Sequence, residues 1–285
     1  MPSLWKKLFI IVAVLLVVSL VLGGNLWQRL TAIESQLAET TEQWKNAETR
    51  LESKIGEGNW LVEHYSEIQK QARLRLGEGQ DAQRFITPDD PSVAAKVQEI
   101  TGGYGEDSIE GWADAERLYS WLVRNIEYAA DTYTPLLPNP PDETVSWQGG
   151  FWRMPAETIK DKAGDCEDMS ALLISMLLNY NGRRNPVWGI GIESTKPEPS
   201  RHIAVAIPVE NNQLTILDPT AHYNTTFPSG WGIAAKESPV AIGEWLARWS
   251  EKMPEARIYM VFSEDVYREF QSTEEFLEWV KSLKF

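Results

Sequence analysis

With 285 residues, 43% of them hydrophobic and 24% charged, the chain is long enough for one sizeable core plus extensions. A formal net charge of −14 argues against a nucleic-acid partner, whose phosphates call for clustered Lys and Arg that the sequence lacks. A lone cysteine, Cys166, rules out an internal disulfide framework.

The N-terminus reads as a membrane segment. Leu8 to Leu22 is apolar apart from Ser19, follows Lys6 and Lys7, and is bracketed by Trp5 and Trp27. A helix between the two tryptophans would span about 33 Å, enough for a bilayer core of roughly 30 Å with an indole at each interface. The lysine pair predicts a single-pass anchor with a cytoplasmic N-terminus and an extracytoplasmic body. A cleaved signal peptide is the rival, since the run is short and Val21-Leu22-Gly23 resembles a cleavage site. Either way the remainder is exported. We assign residues 1–25 to this segment.

From Leu26 a heptad begins: Leu26, Leu30, Ile33, Leu37, Thr40, Trp44, Ala47, Leu51 and Lys54 alternate spacings of four and three among polar residues. This predicts a helical stalk over 26–76, open to self-association, with a break at Gly56-Glu57-Gly58-Asn59 and a second helical stretch from Trp60 to Leu76. A helix that packs back on its own domain is the alternative. Residues 77–91, polar and rich in Gly, Asp and Pro, read as a linker to a globular body over 92–285.

In the body, Val93, Val97 and Ile100 predict a short helix ending at Gly102-Gly103, and Trp112 to Tyr128 predicts a second. Asp131 to Gly150, with four prolines, reads as a long surface loop. The helix after Cys166 places Met169, Leu172, Leu173, Met176, Leu177 and Tyr180 on one stripe, with Asp165 as N-cap and Gly182 as stop. The first turn of a helix lowers a thiol pKa, which suits Cys166 to chemistry; burial as a small apolar residue is the plainer alternative.

Beyond Tyr180 the period falls to two. Strands are predicted over Val187 to Glu193, His202 to Ile207 and Leu214 to Asp218. In the second, His202, Ala204 and Ala206 share one face, whose small side chains predict the approach of the cysteine helix there. Taking Pro208 to Asn212 as the loop puts His202 directly opposite Asp218, whereas a two-residue Asn211-Asn212 turn would put Asp218 on the other face. The wider loop is the expectation. A helix around Val240 to Ser250, a strand over Arg257 to Phe262 and a capped helix after Ser272 complete the chain.

A first-turn thiol, a His on a neighbouring strand and an Asp on the strand beside it match nucleophile, base and orienter. The Cys166 backbone N–H is one candidate oxyanion donor by geometry; Trp152 is a candidate for the second, with Trp147, Gln148 and Tyr133 comparable, though Trp152 reads better as plain core. His64 and His222 read as surface and loop residues. Asn224-Thr225-Thr226 is a glycosylation sequon wherever exported proteins are glycosylated.

GDCEDMSALLISMLL, RHIAVAI and LDPT, with the upstream WLVRNIEY and WRMPAETIKDKAG, resemble the transglutaminase-like superfamily. The resemblance runs from about Ser92 to Thr226. It implies a papain-like α+β fold, with the nucleophile helix on an antiparallel sheet. It also implies Cys166, His202 and Asp218 as the triad, and a thioester formed from the amide of a protein or peptide substrate. Members of the microbial type are thought of as proteases or amidases. No cofactor is required by this chemistry, but Asp165, Glu167 and Asp168 resemble the acidic neighbours of the cysteine in periplasmic members that need calcium. The alternative function is a non-catalytic binding module on a membrane-tethered stalk.

Overall fold

The computed structural model describes residues 2–105, 108–138, 144–225 and 233–283, and it divides into two compact units, Met1–Ile68 and Gln69–Phe285. The first is the greater part of one helix, α1 (Pro2–Leu74). Its N-terminal part is long and apolar enough to cross a membrane. The expected break at 56–59 is absent from it. Two glycines cost only about 1 kcal/mol each relative to alanine, and no proline or cap stops the helix there; a Lys54–Glu57 ion pair of 2.7 Å bridges the stretch.

In the second unit, the segment read as a linker is part of the core. Gly79–Phe85 forms a 3-10 turn that buries Ala82 and Phe85 completely. Then come α2 (Pro91–Thr101), closed by left-handed Gly102, and α3 (Ser108–Asn125). Strand β1 (Glu127–Tyr128) pairs in parallel with β4 (Ala163–Gly164). The expected long loop carries a small hairpin, β2 (Thr134–Leu136) on β3 (Ser146–Gln148), and leads to the short helix α4 (Pro155–Asp161).

Helix α5 (Cys166–Asn181) follows, ending at Gly182 in the left-handed conformation as its sequence predicts. Next are β5 (Trp188–Ser194), β6 (Ser200–Val209), β7 (Gln213–Asp218), β8 (Tyr223–Asn224) and β9 (Lys236–Glu237). Helix α6 (Ser238–Trp249), strands β10 (Arg257–Phe262) and β11 (Tyr267–Glu269), and helix α7 (Thr273–Ser282) complete it. The main sheet is antiparallel, in the order β11-β10-β5-β6-β7-β8, with β9 also on β7.

Helices cover both sides of this sheet, so the fold is α+β with two apolar layers. Ile203, Val205, Ile207 and Leu217 pack with α2, α3 and α5. Ala204, Ala206, Ile190, Ile192 and Ile216 pack with Trp245 of α6 and Phe276 and Val280 of α7. The cysteine helix therefore lies on the branched face of β6 and not on its alanine face. The space that the alanines leave is filled by large side chains such as Trp245.

The β6–β7 register also differs from expectation. Val209 pairs with Gln213, so the loop is Glu210 to Asn212, with Asn211 and Asn212 left-handed. Strand β6 runs through Pro208 because β5 pairs with it only as far as Ala206, where no N–H is needed beyond. The shift is by two residues in register, which preserves the face. Asp218 projects opposite Ala204, diagonal to His202 rather than across from it.

Candidate active site

Asp218 is fully buried at the end of β7 and is saturated with donors. Its Oδ2 accepts from His202 Nε2 at 2.8 Å and from the indoles of Trp245 and Trp249 at 2.9 Å each. Its Oδ1 accepts from Thr220 Oγ1 at 2.9 Å and the Ala221 backbone N–H at 3.0 Å. Burial alone would raise this carboxyl, but the charge and hydrogen bond of His202, with the Trp245 and Ala221 donors, hold it below the usual carboxylate range.

His202 is 5% exposed and lies against Trp249 with ring centroids 3.9 Å apart and planes tilted by 37°. In the neutral form of the ring, Nε2, engaged by a carboxylate, carries the one proton and Nδ1 holds the lone pair. Among the described residues Nδ1 makes no hydrogen bond. The two indoles stand one turn apart on α6. Sequence reasoning placed the helix but missed their role; the i, i+4 pair of tryptophans was the available signal.

Cys166 opens α5 and is half-buried in a cleft of about 660 Å³. Gly164 just before it touches the helix closely, since a Cβ there would lie 2.7 Å from that of Asp168. Asp168 is fully buried and its carboxylate accepts from the backbone N–H groups of Arg153, at 2.7 Å, and Asp165, at 3.4 Å. It ties the segment leading into the helix to the helix's first turn.

The thiol donates to Glu167 Oε2 at 3.0 Å. Burial pushes its pKa well above the ordinary thiol value, the Glu167 and Asp165 carboxylates push further, and only the Ile203 backbone amide opposes them. The pKa-lowering effect expected of a helix start is thus outweighed by desolvation and two adjacent carboxylates. Asp165 is itself pushed up to about 9, first by burial and then by Glu167 and Asp168. Asp168 is pushed up to about 7, mainly by burial.

His202 and Asp218 are brought together; Cys166 stands apart from them. Among the described residues no hydrogen bond joins Cys166 to His202. Ile203, the next residue along β6, lines the thiol's cleft together with Arg201, and the imidazole points to the opposite face. Trp152 lines the cleft too, yet it is buried in the core between Phe85 and Phe262, with ring centroids 5.2 and 5.5 Å away. Sequence reasoning did not pick out the other cleft residues Tyr128, Glu193, Arg257 and Tyr259.

His64, expected at the surface, is exposed and stacks on Trp60. His222 lies in the turn after β7 with a positive φ. The third position of the sequon, Thr226, lies outside the described residues.

Residues 96–228 match a family model described as a transglutaminase-like domain. No curated protein matches the chain. Among solved structures, the chain is similar to a candidate cysteine protease from Cytophaga hutchinsonii, at 16% identity and a TM-score of 0.34, over 63% of this chain and 48% of that one. It thus spans about half the length of that protein. It is also similar to LapG of Legionella pneumophila, at 14% identity and a TM-score of 0.33, over 65% of this chain and 91% of that one. The calcium-bound form of LapG gives 15% identity and a TM-score of 0.32, over 63% and 91%. Residues 96–228 are thus similar in sequence to a transglutaminase-like domain, and the chain has a helix-on-sheet architecture there.

Proposed function

We propose that the chain is an exported, membrane-anchored cysteine hydrolase or acyltransferase that acts on amide bonds of a protein or peptide through a Cys166 thioester. The observation that carries this reading is the His202–Asp218 pair: a buried carboxylate with five donors fixes the imidazole as the Nε2–H tautomer and leaves Nδ1 as a base. Ile203, adjacent in the chain, lines the cleft of the thiol.

In the reaction, His202 Nδ1 takes the thiol proton, Sγ attacks the amide carbonyl, and the amine leaves with that proton. Water or a second amine then attacks the thioester and restores the thiol. The Cys166 backbone N–H is one oxyanion donor, and Trp152 is the candidate for the other. The reading entails an active conformation in which α5 and β6 bring Sγ within hydrogen-bond reach of His202 Nδ1 while the bond to Asp218 is kept. The apolar N-terminal helix serves as the anchor.

The acidic start of α5 fits a calcium ion. Ligand atoms of Asp165, Cys166 and Glu167 lie within 4.8 Å of one another, and Asp165 Oδ1 is buried without a hydrogen-bond partner. Asp165 and Glu167 would supply the oxygens. Such an ion would offset the negative charge that holds the thiol protonated.

A second reading, a non-catalytic module on the same stalk, is favoured by the thiol's bond to Glu167 on the far side of β6 from His202. The pH dependence of Cys166 alkylation separates the two, with and without calcium. A thiolate formed near pH 6 and lost in His202→Ala supports the enzyme. Reaction only well above pH 8.5, indifferent to His202, supports the module.

A further inference from the structure

The first unit exposes a row of large apolar side chains that nothing in the chain's own helix covers. Leu30, Ile33, Leu37, Trp44 and Leu51 are 54%, 60%, 66%, 73% and 61% exposed. Scattered apolar residues need no explanation, but these recur at the three–four spacing that brings every one to a single seam. Because α1 is continuous through Gly56 and Gly58, the same phase extends without interruption to Leu61 and Ile68, both exposed as well. The seam is weakest at Lys54 and Gly58.

Beside the seam stand charges with no partner in their own helix. Writing Leu30 and Leu37 as a positions and Ile33 as d, Arg29 falls at g and Glu34 at the e of the next heptad. Among the described residues neither makes an ion pair. In a parallel two-stranded coil, g of one heptad faces e of the next heptad on the other strand, so Arg29 of each copy meets Glu34 of the other, twice by symmetry. An antiparallel overlap of the same span, with Leu26 opposite Leu51, would instead set Arg29 beside Arg50 of the second copy. It would also put the two apolar N-terminal segments at opposite ends of a rod of roughly 40 Å, where one bilayer could not hold both.

We propose that the stalk pairs with a second copy of this chain as a parallel, in-register, two-stranded coiled coil over Leu26 to Leu51, with Arg29–Glu34 contacts setting the orientation. This is independent of the catalytic reading. The occupant is a second copy because the seam's apolar row and its flanking charges are self-complementary in this arrangement alone.

The test uses the full-length protein in lipid vesicles with Cys166→Ser as background, so that introduced thiols are the only ones. Under mild oxidation, Ile33→Cys, on the seam, is expected to form mostly disulfide dimer. Ser35→Cys, on the outer face, is expected to form less than about a tenth as much. Failure of the Ile33 variant to cross-link, or equal cross-linking at both sites, overturns the proposal. So does a mixed disulfide between Ile33→Cys and Trp44→Cys chains, the antiparallel signature.

A second measurement guards against loss of the seam through the substitution itself. In detergent, sedimentation of the Glu34→Arg protein should show dimerisation weakened about three- to ten-fold, for two exposed pairs. Arg29→Glu combined with Glu34→Arg should restore it. A monomeric parent protein, or a swap that does not restore pairing, overturns the proposal.

Discussion

His202 and Trp249 are linked twice over: their rings lie 3.9 Å apart in tilted contact, and both donate to the same oxygen, Asp218 Oδ2. Trp249→Phe keeps a ring and removes the donor. It is expected to destabilise the protein by about 1 kcal/mol, the usual net worth of a hydrogen bond to a buried group. Asp218→Ala, which strands the His and two indole donors, should cost about 3 kcal/mol or more. Urea unfolding midpoints of the two variants give the comparison, and equal losses would mean that the carboxylate is not the hub.

The carboxyls at the start of α5 titrate in the opposite sense from Asp218. Asp165 and Asp168, pushed up to about 9 and about 7, sit above their unfolded values. Their contribution is complete below about pH 4 and is lost as pH rises through 7 and then 9. Asp218, held low, contributes above about pH 4 and loses that only in stronger acid. Thermal stability in a calcium-free buffer should therefore fall between pH 5 and 9, and Asp165→Asn should flatten that slope. A flat parental profile would refute the assignment.

Glu167 acts on the thiol directly, as hydrogen-bond acceptor and as charge. Replacing it with Gln removes the charge, so the thiol pKa should drop. Iodoacetamide labelling of Cys166 at pH 8 should then accelerate several-fold. An unchanged rate would show that burial alone keeps the thiol protonated.

Gly164 and Gly243 should respond oppositely to alanine. At Gly164 the new methyl meets three Asp168 atoms at 2.7 to 3.3 Å, so a loss of about 1–3 kcal/mol is expected. At Gly243, inside α6, nothing lies within 4 Å, and a gain of about 0.5–1 kcal/mol is expected from helix propensity. Differential scanning calorimetry reads both signs.

Local signals carried most of the fold. The apolar period and Gly182 defined α5, and alternation defined β5, β6 and β7. What failed was relational. Alternation says that both faces of β6 are buried but not which neighbour takes which, and bulky Trp245 fills the alanine face that suggested α5. Pro208 excludes a strand only where a partner needs its N–H, and the end of β5 cannot be read from β6's own sequence. The left-handed Asn211-Asn212 pair signalled the turn but left its length to the strands around it. Glycine at 56 and 58 reads as a stop, yet a helix this long absorbs two such costs.

Of the candidate site, the hydrogen bond between His202 and Asp218 was legible. The separation of Cys166 from that pair was not, because it depends on which side of one strand a helix packs.

Helix α5 has its side chains buried almost from end to end, and its first residue is the chain's sole thiol. At a pH low enough to keep the folded thiol protonated and slow to react, the rise of Cys166 labelling in denaturant should thus follow the unfolding of this helix, making the cysteine a built-in gauge of folding for this unit.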